Sequence, residues 1–138
     1  MCFYLHWVKL KSMKLVLKLE SLGLLILFSV IYFHFYPGKW GTFLAFFFVP
    51  DVSFTLYLIN KKMATIAYNA FHHQGLLTVV LLSGFFLQND WLTSISLIFL
   101  AHSTFDRMAG YGLKYSDNFD HTHLGWIGKS KHLNKVNL

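Results

Sequence analysis

Residues 19–59 read LESLGLLILFSVIYFHFYPGKWGTFLAFFFVPDVSFTLYLI, and only Glu20, Lys39 and Asp51 among them are charged. The apolar run stops at Pro37-Gly38 and resumes at Trp40. Two segments result, 19–36 and 40–59, each close to the roughly 20 helical residues that cross a hydrocarbon core. A connection as short as "PGK" forces two such helices to lie antiparallel. The strict alternation of a membrane barrel is absent, and an open sheet would leave backbone N–H and C=O groups unpaired in lipid.

Two further apolar segments follow at 64–87 and 91–108, joined by "NKKM" and "QND". The sequence therefore predicts an all-α protein: a four-helix transmembrane bundle of up-down topology. Composition agrees, because 55% of the 138 residues are hydrophobic and only 13% are charged, about half the share usual in soluble domains. The single cysteine, Cys2, excludes an internal disulfide. Neither zinc-finger spacing nor a phosphate-loop glycine pattern nor an internal repeat is present.

The net charge of +6 first suggests nucleic acid, but its placement points elsewhere. Lys9, Lys11, Lys14 and Lys18 precede the first segment, Lys61 and Lys62 lie in the second connection, and Arg107, Lys114, Lys129, Lys131 and Lys135 close the chain. Only Lys39 falls on the other side. By the positive-inside rule both termini are cytoplasmic, and the expected location is the inner (plasma) membrane. The partners expected are the lipid bilayer and a second copy or another membrane protein, with no nucleic acid. The chain divides into a basic cytoplasmic segment (1–18), a membrane bundle (19–109) and a short cytoplasmic C-terminal tail (110–138) that folds under it. The aromatic residues 1–12 read as an upstream extension before Met13 as readily as part of the protein. The first segment lacks the small-residue pattern of a cleaved signal peptide.

Depth along the segments is the informative coordinate for the ionisable residues. Glu20 opens the first segment, Asp51 follows Pro50 in the second, Tyr68, Asn69, His72 and His73 share the cytoplasmic half of the third, and His102 and Asp106 lie toward the end of the fourth. Such groups cost several kcal/mol in hydrocarbon unless they pair or face a cavity. They are therefore expected to face one another. His102 and Asp106 are four apart and share a helix face; Asn69 shares a face with both His72 and His73, three and four residues on, while Tyr68 stacks under His72. His72 and His73 differ by about 100° of helix rotation, so at most one points squarely inward; His72 is the expected one, with His73 at a helix interface or the cytoplasmic rim. Pro50 is expected to kink the second helix beside Asp51. Gly75 and Gly84 are expected at close helix contacts. Gly110 and Gly112 end the fourth helix, and Trp126 is an expected interfacial anchor.

The segments "LE", "PDVS", "YNAFHH", "AHSTFDRMAGYGLKY" and "FDHTHLG", in that order, resemble the uncharacterised bacterial integral-membrane family named domain of unknown function 4260. The resemblance covers residues 13–128. It implies a four-span membrane protein and marks Glu20, Asp51, Tyr68, Asn69, His72, His102, Asp106, Arg107, Gly110, Gly112, Lys114 and His123 as motif positions. It implies no activity.

Three functions fit these residues. His72, His102 and His123 with Asp51, Asp106 and Glu20 suit a divalent metal (zinc, iron or manganese) in a membrane enzyme acting on a small amphiphile. Arg107 and Lys114 would then hold an anionic group of the substrate, or serve structure together with Tyr68 and Asn69. The same groups suit a proton or small-solute pathway. They also suit a purely structural cluster that fixes helix register, with Glu20 and Arg107 as its expected ion pair.

Overall fold

The computed structural model describes residues 2–118, 120–128 and 130, with backbone alone for 2–12. Lys129, Lys131, Lys135 and His132 lie outside the described residues. Helix α1 (Cys2–Phe35) runs through the basic segment and the first apolar segment without a break, consistent with a leucine-rich stretch that lacks proline. Pro37 cannot continue it, and Gly38 takes a left-handed φ of +78° to turn the chain. Aromatic rings close this turn. Phe33 stacks on Trp40 at 3.8 Å, and Tyr32 packs against Phe43 at 5.1 Å. The Tyr36 hydroxyl donates to the Asp90 carbonyl at 3.1 Å, so the "PGK" and "QND" turns meet at one end of the protein.

The second apolar segment is not one kinked α-helix. Helix α2 covers only Trp40–Phe47, and the chain then tightens into a 3-10 helix over Val49–Leu58. Pro50 has no N–H to give to the α-helical ladder, and Asp51 N–H bonds instead to the Phe48 carbonyl three residues back. The third segment is not one helix either. Helix α3 (Lys61–His72) ends at His73, whose extended backbone starts α4 (Gln74–Phe86). The His73 ring caps α4 by accepting Leu76 N–H at 3.0 Å, while the Ser103 hydroxyl takes the His72 carbonyl at 2.8 Å. The break thus leaves few polar groups unpaired. Asn60 caps α3 through Lys62 and Met63 N–H.

Helix α5 (Asp90–Ala109) is the centre of the fold. Its ten buried residues include Leu97, Ile98, Leu100, Ala101 and His102, and α1 and α4 supply its main cover. It starts on Asn89, which accepts Leu92 N–H, and stops at Gly110 with φ +100°. The outer faces are apolar: Ile26 and Val30 on α1 and Leu82, Phe85 and Phe86 on α4 are all half or more exposed. The four expected spans therefore become five α-helices. Two stretches, Met13–Phe35 and Trp40–Leu58, are long and apolar enough to cross a membrane, whereas α4 is a shorter apolar helix.

Gly84 lets α4 approach α5, as its spacing suggested. An added Cβ would lie 2.8 Å from Thr93 N and Oγ1 and 3.0 Å from Leu92 Cβ. At Gly75 the same atom would meet only the neighbouring His73 ring. Gly84→Ala must push the two helices apart and is expected to cost about 1–3 kcal/mol, read as a lower melting temperature in detergent. Gly41→Ala, whose added Cβ on α2 meets nothing within 4 Å, serves as its control.

Candidate metal centre

Three elements bring polar side chains to one point. The 3-10 segment carries Asp51, the last turn of α3 carries His72, and one face of α5 carries His102 and Asp106. One ligand atom from each lies within 4.8 Å of all the others. His72 Nε2 is 3.1 Å from His102 Nε2, 3.3 Å from Asp106 Oδ2 and 3.7 Å from Asp51 Oδ1. His102 Nε2 is 3.4 Å from Asp51 Oδ1 and 4.0 Å from Asp106 Oδ2. Four donors bound tetrahedrally to one ion at about 2.1 Å stand about 3.4 Å apart. The five distances, 3.1–4.0 Å, bracket that value for two nitrogens and two oxygens. This His2Asp2 group can hold a metal ion.

Both histidine rings are 2% exposed, against 13% for Asp106 and 36% for Asp51. The cluster is closed on the α5 side and open on the Asp51 side. The His72 ring is held firmly. Its Nδ1–H donates to the Tyr68 carbonyl at 2.8 Å, which leaves Nε2 as the lone-pair nitrogen facing the cluster. Its face stacks on the Tyr68 ring at 3.8 Å. The Tyr68 hydroxyl donates to Asp106 Oδ2 at 3.1 Å and so orients one carboxylate and one imidazole together. The edge of Phe47 packs on His102 at 5.1 Å. His102 Nδ1 is the one buried side-chain polar atom among the described residues without a hydrogen-bond partner.

The remaining motif residues lie around this point rather than at it. Asn69 clamps the tail, donating from Nδ2 to the Lys114 carbonyl at 2.9 Å and accepting Lys114 N–H at 2.8 Å. Lys114 is 5% exposed, and its Nζ lies 4.8 Å from the Phe54 ring centre and 5.2 Å from that of Tyr68. Burial pushes its pKa down to about 8, with Asp120, Asp106 and Asp51 acting in the opposite direction. His123 stands apart from the four-atom cluster. Its Nδ1 accepts Leu113 N–H at 2.8 Å, and its Nε2 is 3.3 Å from Arg107 Nη1. Burial and the Arg107 charge both hold its pKa below the usual histidine value. Glu20 is exposed on α1 and makes no ion pair within 4 Å with Arg107.

The choice between His72 and His73 falls on His72; His73 is exposed and spent as a helix cap. Sequence reasoning missed Ser103, which fixes the His72 carbonyl, and the Phe54 and Tyr57 rings over which Lys114 lies. "SFTLY" next to Asp51 carries the only sequence signal for the rings, and its 3-10 winding hid it.

A family model described as a domain of unknown function (DUF4260) matches residues 14–127, most of the chain. No curated protein and no solved structure matches.

Proposed function

We propose, for a chain that belongs to the DUF4260 family, a multi-pass membrane protein that holds one divalent metal ion between Asp51, His72, His102 and Asp106. The observation that carries it is the 3.1 Å between His72 Nε2 and His102 Nε2. With both imidazoles neutral, the cluster has two negative charges in a largely buried setting, and such charges need partners. One proton between the two Nε2 atoms would make the 3.1 Å contact a hydrogen bond but offset at most one of these charges; protonating both histidines would point two N–H groups at each other. One divalent cation satisfies both nitrogen lone pairs and both carboxylates and leaves the site neutral. A tetrahedral N2O2 set suits zinc, with iron and manganese as the competing ions.

The membrane reading rests on the two long apolar stretches and on the exposed apolar faces of α1 and α4. Helix α5 is polar enough to need shielding, and α1 and α4 provide it. The break at His73 fits a third crossing made of two helices, since irregular backbone is tolerated at membrane depth where protein covers it. The arrangement of lysines favours cytoplasmic termini. The opening beside Asp51 gives a small amphiphilic substrate access to the ion. There the metal would polarise an ester or phosphoryl oxygen and make bound water acidic, as in metal-dependent hydrolysis.

Elemental analysis of protein purified from metal-replete cells tests the reading, with about one equivalent of metal expected per chain. Occupancy below about 0.1 equivalents would leave the cluster a device for helix register. Tyr68→Phe keeps the ring stack on His72 but removes the hydrogen bond to Asp106. It is expected to weaken metal affinity by about 10- to 100-fold while the fold survives, read by competition with a chromogenic chelator.

A further inference from the structure

A cavity of about 180 Å³ opens between α1, the start of α4, the end of α5 and the tail. Leu17, Glu20, Ser21 and Leu24 form its α1 wall, three or four residues apart and therefore on one helix face. Gln74 of α4, Arg107 (the residue after Asp106), and His123 and Leu124 of the tail complete the lining. Two facts about this groove point to a ligand. First, Arg107 has no carboxylate within 4 Å among the described residues, although Glu20 lines the same groove; the two opposite charges face the cavity without pairing. Second, the one in-plane lone pair of His123 Nδ1 is taken by Leu113 N–H at 2.8 Å. The proton of the neutral ring is then on Nε2, while Arg107 Nη1 lies 3.3 Å from Nε2 and 3.4 Å from Nδ1, over the face of the ring. A guanidinium only donates, so Arg107 cannot accept the Nε2–H, and both groups are left as donors at the groove.

We propose that this groove binds the headgroup of an amphiphile carrying both a phosphate and an ammonium. The phosphate accepts from Arg107 and His123 Nε2, the ammonium meets Glu20, and the first chain carbons run along Leu17, Leu24 and Leu124. A groove with one positive and one negative group is matched by a zwitterion, and the guanidinium fork suits phosphate oxygens. The apolar wall continues into the exposed apolar face of α1, so the chains would leave directly into lipid. As a substrate subsite the groove rests on the metal-centre reading; as a headgroup site it rests on the geometry of these residues alone.

The test is a phosphorus NMR titration of the full chain in detergent, with metal content measured on the same samples. Dihexanoyl phosphatidylethanolamine, dihexanoyl phosphatidylglycerol and soluble phosphoethanolamine are the probes. The ethanolamine lipid should bind saturably. Arg107→Gln should weaken it by about tenfold or more, and Arg107→Lys by less. Glu20→Gln, a change at an exposed residue, should weaken the ethanolamine lipid and leave the glycerol lipid unchanged. Ser21→Trp fills the groove from α1 without altering either charge and should block all three probes. Lipid binding that survives both Arg107→Gln and Ser21→Trp overturns the proposal. Soluble phosphoethanolamine binding as tightly as the lipid overturns the amphiphile assignment in favour of a water-soluble phosphoamine. Metal without lipid binding refutes the groove and spares the metal centre; lipid binding without metal supports the headgroup site and removes its role as a substrate subsite.

Discussion

His72→Ala and His102→Ala are each expected to reduce bound metal from about one equivalent to below about 0.1, the largest change that any single substitution should produce in metal content. Each removes one of four donors from a set whose nitrogens are only 3.1 Å apart, and neither vacancy can be refilled from nearby. His73 is turned away as the cap of α4, and His123 stands outside the cluster with its Nδ1 taken by Leu113 N–H. Cobalt substitution provides a readout that a merely structural role would not move. The wild-type chain should show the intense visible absorption of tetrahedral cobalt, and both variants should lose it. Asp51→Asn should retain part of the signal, because Asp51 is the most exposed of the four and water can take its place. Glu20→Gln and His123→Ala should leave the spectrum unchanged, since both residues stand outside the cluster. Equal loss in those two would redraw the ligand set. Acidification should release the ion, since the ligand atoms bind only without protons.

The sequence made some of this legible and concealed the rest for identifiable reasons. The end of α1 at Phe35 and the end of α5 at Gly110 were readable because proline and glycine act locally, through a missing N–H and a left-handed φ. The 3-10 winding after Pro50 and the break at His73 were not. Apolar composition reports what surrounds a segment, and it is blind to whether a carbonyl bonds three or four residues ahead. At His73 the decision belongs to another element, since the Ser103 hydroxyl on α5 donates to the His72 carbonyl that the break releases.

The candidate site divides along the same line. Asp51, His72, His102 and Asp106 were readable as a group because each is an ionisable residue stranded in an apolar run, and convergence is the cheapest remedy. Glu20 was placed with them on depth alone, and His123 on a tail that folds under the bundle. Depth is one coordinate, and the azimuth of α1 and the path of the tail are set by packing. In the structure these two residues meet across a different cavity, beside Arg107. The role of Asn69 was equally hidden: it shares the helix with His72 yet reaches the backbone of residue 114 rather than the cluster.

Asn69→Leu should therefore act on the tail rather than on the metal. Its amide satisfies both the N–H and the C=O of Lys114, and leucine has the same size with neither a donor nor an acceptor. A backbone group left unpaired in a buried position costs about 1–3 kcal/mol, so two of them are worth about 2–6 kcal/mol. That is enough to peel the tail from α3 while α3, α5 and the 3-10 segment keep the ligands in place. Lys114 reports the event directly, because a lysine 5% exposed against Phe54, Tyr57 and Tyr68 is a protected tryptic site. Where opening is fast relative to cleavage, the rate follows the open population, and about 3 kcal/mol raises it by about 100-fold. Trypsin should thus cut after Lys114 in the variant while the wild-type chain resists at the same site. Asn69→Asp, which keeps the acceptor for Lys114 N–H and loses only the donor, should fall between the two. If all three chains were cut alike, the tail would be held by something other than this amide. If cleavage rose and metal fell together, the tail would belong to the site itself: the floor that keeps water from the buried side of His72 and Asp106, rather than a strap beside it.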